Sequence, residues 1–167
     1  MIIYNKKGIS LIEVILYTSL VAVMLVVMTQ FIGTIFESRT KNRVVNEVEQ
    51  QGLQVMQFLG NTIRQANGVN VPIPNISLAT LSLDSFGSNP SPSVFSLVSG
   101  KLQLVEDGAP TILTSDYIEM SNLLFTNTSQ QNTPGSIRIE FTLNYLSNSN
   151  RSEYIYTKDF VTTYSLN

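Results

Sequence analysis

Between Glu13 and Glu37 the chain carries no charged residue. The stretch VILYTSLVAVMLVVMTQFIGTIF is about 23 residues long and, at about 1.5 Å per residue, spans roughly 35 Å as a helix, enough to cross a hydrocarbon core near 30 Å. A buried core helix is the competing reading, but a chain of 167 residues has little protein with which to surround one on all sides. Beyond Glu37 the pattern changes without a break. From Glu37 to Ala66 there is no proline, and Val45, Val48, Gly52, Val55, Leu59, Ile63 and Ala66 follow one another in steps of three and four. That spacing predicts an amphipathic helix, its stripe widened by Val44, Met56 and Phe58. Arg39, Lys41, Arg43, Glu47, Glu49, Gln54 and Arg64 take the opposite face. Gly52 and Gly60 each cost about 1 kcal/mol of helix propensity relative to alanine, so they mark either close packing against a sheet or a place where the helix melts. Asn67-Gly68 reads as a C-cap, and Pro72 and Pro74 stop any continuation.

The remainder reads as strands and connections. Residues 69–100 hold several Pro, Ser and Asn and a single charge, Asp84. Leu78, Leu81, Leu83 and Phe86 suggest one or two short strands, Asn89-Pro90-Ser91-Pro92 a turn, and the stretch as a whole a neutral connector or a variable loop for partner contact. Lys101 to Val105 alternates, and Glu106-Asp107-Gly108 followed by Pro110 to Thr114 signals a hairpin. Tyr117, Ile118, Met120, Leu123 and Phe125 make an extended run. Ile137, Ile139, Phe141, Leu143 and Tyr145 alternate strictly with Arg138, Glu140, Thr142 and Asn144, the pattern of a half-buried strand. Tyr154, Tyr156, Phe160, Val161 and Tyr164 complete a last strand or strand pair. The fold class is α+β, with one long N-terminal helix over an antiparallel sheet of four or more strands.

Composition narrows the chemistry. Charged residues are only 13% of the chain, with ten Lys and Arg against twelve Asp and Glu. No basic surplus exists for a phosphate backbone, so direct nucleic-acid binding is not expected. The absence of His and Cys excludes Cys/His zinc sites, thiolate nucleophiles, Ser-His-Asp triads and disulfides. The acidic residues beyond the long helix are Asp84, Glu106, Asp107, Asp116, Glu119, Glu140, Glu153 and Asp159. They lack the alternation of a calcium loop, and Glu106-Asp107-Gly108 reads as a turn. No catalytic residues, metal or cofactor are predicted.

The N-terminal end carries the informative residues. Lys6 and Lys7 flank the apolar run and place that end in the cytoplasm, with the body beyond the membrane. An ordinary secretory signal does not fit: the apolar run is too long, and Glu37-Ser38-Arg39 rather than a small-residue cleavage site follows it. The small residue beside the basic pair is Gly8, before the run. Glu13 stands just inside the span, where a carboxylate is costly unless it reaches the headgroups or meets a cation. A cut behind Gly8 would free the amino group of Ile9, four residues before Glu13 on one helix face.

Lys6-Lys7-Gly8-Ile9-Ser10-Leu11-Ile12-Glu13-Val14 resembles the class III signal of type IV pilins and type II secretion pseudopilins, with Ile9 in place of the commoner Phe and Ser10 in place of Thr. The resemblance implies a leader, 1–8, recognised through Lys6 and Lys7 and cut between Gly8 and Ile9 by prepilin peptidase, which N-methylates Ile9. It implies an assembly helix over 9–36, an amphipathic continuation over 37–68 and an extracytoplasmic β-rich head over 69–167. It assigns Glu13 to neutralising the terminal amine of an adjacent subunit. The implied partners are other pilin or pseudopilin subunits, the peptidase, an inner-membrane assembly platform and membrane lipid. Short matches at Gly108, Leu113-Thr114-Ser115 and Asn122-Leu123-x-Phe125 are similar to J-type pseudopilins and W-type minor pilins, and competence pseudopilins of DNA uptake share the plan. A membrane-anchored binding module that never joins a fibre is the alternative, and such an anchor needs neither Gly8 nor Glu13.

Overall fold

A computed structural model describes residues 8, 10–84, 91–130, 135–147, 149 and 151–167. The chain divides into two compact units, Met1–Thr40 and Lys41–Asn167, and helix α1 (Leu11–Gln65) contributes residues to both. In the first unit every large apolar side chain from Leu11 to Phe36 is exposed. This part of α1 is long and apolar enough to cross a membrane, and none of its apolar window is buried.

The second unit is a helix on two sheets. Its strands are β1 (Gly68–Val71), β2 (Ser77–Leu78), β3 (Leu81–Asp84), β4 (Ser93–Val98), β5 (Lys101–Glu106), β6 (Ala109–Ile112), β7 (Ile118–Asn127), β8 (Ser136–Tyr145) and β9 (Thr157–Ser165). All pairings are antiparallel, in the orders β1-β3-β4-β5-β6 and β2-β7-β8-β9. The single sheet expected from the alternating segments is therefore two. The stretch 69–100 is no connector either, since it supplies four strands and Phe95 of β4 is fully buried. Phe86, Asn89 and Pro90 lie outside the described residues.

Helix α1 buries Val44, Val48, Gly52, Val55, Leu59, Gly60 and Ile63 against the sheets. The stripe begins at Val44 rather than Val45, which is only half-buried on the flank. Both glycines are packing sites. A Cβ on Gly52 would sit 2.1 Å from Cζ of Phe160, and one on Gly60 2.6 Å from Cζ of Tyr164. The helix runs unbroken through both, and rings of β9 fill the space a side chain would need. Eight helical residues rise about 12 Å and four strand residues about 13 Å, so α1 runs beside β9 in the same direction. Glu49 accepts from Nζ of Lys158 at 2.6 Å near one end of this contact, and the Arg64 guanidinium lies 5.0 Å from the Tyr164 ring centre at the other. That hydrogen bond, despite some loss of hydration, holds the Lys158 ammonium above its ordinary pKa.

The helix ends at Gln65, short of the expected 68. Gly68 already belongs to β1, and neither Asn67 nor Gly68 has the positive φ of a left-handed C-cap. The Asn67 N–H instead donates to the Asp84 carbonyl on β3. Asp107 and Gly108 do adopt positive φ, 51° and 78°, making the two-residue turn between β5 and β6 that the spacing implied. In β7, burial switches from Ile118 and Met120 to Leu123 and Phe125, a change of parity. A bulge between Ser121 and Leu124, with Asn122 at φ 52°, inserts the residue that allows it. Tyr154 falls in a short 3-10 turn (Ser152–Tyr154) rather than in the last strand.

Candidate functional site

The residues singled out at the N-terminal end lie just before α1 and in its first turn along the sequence. Lys6, Lys7 and Ile9 lie outside the described residues, so placement can be given for Gly8, Ser10 and Glu13. Gly8 is exposed, and nothing lies within 4 Å of where a Cβ would stand. The carbonyl of Ser10 accepts from the N–H groups of Glu13 at 3.0 Å and Val14 at 3.2 Å, which opens the helix. Glu13 therefore stands in the first helical turn, where unpaired N–H groups give the helix its positive end and favour a carboxylate.

Glu13 has a partner the sequence reading did not name. The Tyr17 hydroxyl donates to its Oε1 at 3.3 Å from one turn along. The spacing of four was the available signal. Among the described residues, no basic side chain lies within ion-pairing distance of Glu13. The phenol hydrogen bond orients the carboxylate and supplies no opposite charge of its own.

The helix beyond Glu13 suits an apolar medium. Thr18, Ser19, Thr29 and Thr34 each return their hydroxyl proton to a carbonyl three or four residues back, on Ile15, Leu16, Leu25 and Phe31. Hydrogen bonds of this kind satisfy side-chain donors without water. The surface they leave is predominantly hydrocarbon.

Among its described residues, the second unit offers no comparable cluster of reactive groups. Among the described residues, no three Asp or Glu side chains converge as a metal site would require. Glu106 accepts from Ser93 Oγ at 2.8 Å, beside the β5–β6 turn, and Asp159 accepts from Thr142 at 2.7 Å. Glu140 pairs with Arg138 and Glu153 with Arg151. A cleft of about 340 Å³ lies between the end of α1 and strands β3 to β5, with Phe58, Asp84 and Glu106 in its walls. No family model, curated protein or solved structure matches the chain.

Proposed function

We propose that the chain is a minor subunit of a type IV pilus or type II secretion pseudopilus. It is made as a precursor, inserted in the inner membrane with the head outside the cytoplasm, and cut between Gly8 and Ile9. The observation that carries this reading is the motif Lys6-Lys7-Gly8-Ile9-Ser10-Leu11-Ile12-Glu13 set directly against a charge-free helix with a fully exposed apolar surface. A plain membrane anchor would have the helix without a carboxylate in its first turn. The short matches at Gly108, Leu113-Thr114-Ser115 and Asn122-Leu123-x-Phe125 support the J-type or W-type minor class.

In this reading the subunit works by position rather than by chemistry. Sequestered from water, Glu13 is tolerable only beside a cation. No Lys or Arg lies between Lys7 and Arg39, so the N-methylated amine of Ile9 on a neighbouring subunit is the cation that assembly supplies. An incoming helix then slides until its amine meets the waiting carboxylate, which fixes axial register. Tyr17 holds the carboxylate in place meanwhile.

Glu13→Val separates processing from assembly. Its precursor is expected to insert in the membrane and to be cut behind Gly8 as efficiently as wild type. Recovery with co-expressed partner subunits in a pull-down should fall at least tenfold, equivalent to about 1.4 kcal/mol of association energy or more. Wild-type recovery of Glu13→Val would refute the charge-pair mechanism.

A further inference from the structure

We propose that the second unit holds a binding site for an alkylated ammonium group, quaternary ammonium above all. The site is a cavity of about 490 Å³ at the end of the four-stranded sheet where β7 begins and β8 ends. Tyr117, Tyr145, Tyr154 and Asp116 line it, together with Leu146 and Ser147. The assignment goes beyond the pilin reading and is independent of it, because no step uses Gly8 or Glu13.

Backbone hydrogen bonds fix the segments that carry this lining. Ile118 at the start of β7 faces Tyr145 at the end of β8. The ladder continues by one bond, the Leu146 N–H donating to the Tyr117 carbonyl at 2.8 Å. The Tyr145 N–H donates to the Tyr156 carbonyl at 3.1 Å, and the 3-10 turn that ends at Tyr154 lies two residues before Tyr156. The turn leading into β7 is held as well. The Ile118 N–H donates to the Ser115 carbonyl at 3.2 Å, and Nζ of Lys101 donates to the carbonyls of both Ser115 and Ile118. Asp116 and Tyr117 stand between those two carbonyls in the sequence. The site is assembled before a ligand arrives, which lowers the ordering cost of binding.

The chemistry of the lining selects a cation. The rings of Tyr117 and Tyr145 have centroids 6.5 Å apart and planes 9° from parallel, so their electron-rich faces share one direction. Tyr117 is 63% exposed, which leaves ring surface for a ligand to cover. Asp116 adds negative charge on a fully exposed side chain. Lys101 lies 3.9 Å from that carboxylate, but its ammonium is engaged by the two carbonyls that it clamps. The charges next to Tyr154 in the sequence, Arg151 and Glu153, pair with each other. Aromatic faces beside a carboxylate attract a positive group, by about 2 kcal/mol or more when it is desolvated.

Other ligand classes fit less well. An anion would meet Asp116, with no Lys or Arg among the described lining residues to offset it. A divalent metal needs several oxygen ligands, and among the described residues no three acidic side chains gather. A sugar relies on several directed hydrogen bonds to its hydroxyls, and the described lining offers no Asn, Gln or Arg for them. A bare ammonium is compact and strongly hydrated, so it gives up more on entering than the rings return. Alkyl groups spread the charge and bring apolar surface to the rings and to Leu146. The volume lies within the range of about 300–1,000 Å³ typical of small-molecule sites.

The test uses the full-length protein in polyoxyethylene micelles, whose head group is neither an ammonium nor a sugar, with empty micelles as the blank. Choline is the probe. Its control is the uncharged carbon isostere, in which a tert-butyl group replaces trimethylammonium. Binding is followed by NMR through the ligand's methyl protons, which move upfield over an aromatic face. Choline should saturate the site with a Kd on the order of 1 mM or tighter, and the isostere should bind at least about fivefold more weakly. Tyr117→Leu keeps apolar bulk at an exposed position, and Asp116→Asn removes only charge. Both should retain the wild-type melting temperature and weaken choline at least about fivefold, while Tyr117→Phe should bind it as wild type does. Glycerophosphocholine separates the sources: binding as tight as choline supports a lipid head group as the ligand, and weaker binding supports a free amine. Absence of saturable choline binding, equal binding of choline and its isostere, or unchanged choline affinity in both weakened variants would overturn the proposal. So would a methyl glucoside that saturates the site more tightly than choline.

Discussion

Gly52 illustrates how a single missing methyl group sets the geometry of the head. A Cβ there would meet three atoms of the Phe160 ring at 2.1–2.6 Å. The ring has nowhere to go, because it stacks on Phe141 with centroids 5.2 Å apart and planes 16° from parallel. Alanine gains about 1 kcal/mol of helix propensity but forces overpacking worth about 1–3 kcal/mol. Gly52→Ala should therefore destabilise the head, by up to about 2 kcal/mol on those figures. Denaturant unfolding of the protein in detergent, followed by circular dichroism, measures it. Adding Phe160→Leu should restore part of the loss, since a smaller side chain opens the space. A Gly52→Ala protein more stable than wild type would show that the helix stands farther from β9 than the structure has it. Sequence alone marked Gly52 and Gly60 as unusual but left packing and melting open. The partner rings lie about a hundred residues away, and no local pattern names them.

At the scale of elements, the segments with clean periodicity were readable and those with mixed faces were not. Strand β8 alternates apolar and polar residues throughout, and its burial follows that alternation. Strand β4 escaped notice because Ser93, Phe95 and Leu97 face one way and Val94, Ser96 and Val98 the other, so both faces mix apolar and polar residues. What distinguishes its inner face is Phe95, whose ring meets Phe58 of α1 edge-on at 6.2 Å, a contact visible only after folding. The count of sheets was hidden for a similar reason, since strand content does not say where one sheet ends. The amphipathic half of α1 buries its stripe wholly within Lys41–Asn167. A fragment beginning at Glu37 should thus be soluble and cooperatively folded, with a single unfolding transition, while failing to enter filaments. An insoluble or molten fragment would mean that the head needs a partner to complete its core.

At the scale of the whole molecule, the proposed role depends on two features that no packing argument requires. Gly8 is exposed with open space around it, and Glu13 stands at the head of an apolar helix, where among the described residues a tyrosine hydroxyl is its side-chain partner. In the proposed role both serve events outside the folded chain, a cut and an assembly step. Both stand out in the sequence because they break a pattern, a glycine beside a basic pair and a carboxylate at the start of a charge-free run. Tyr17 does not, because a tyrosine in an apolar run looks like any other hydrophobic residue until its hydroxyl is placed. Processing is the central claim and is the most direct to measure. Intact-mass and N-terminal peptide spectrometry on protein from cells with active prepilin peptidase should find a chain beginning at N-methylated Ile9, with Gly8→Val leaving the precursor eight residues longer, since the cut falls after Gly8. A mature wild-type chain that still begins at Met1, or a Gly8→Val chain of normal mature length, would contradict the account.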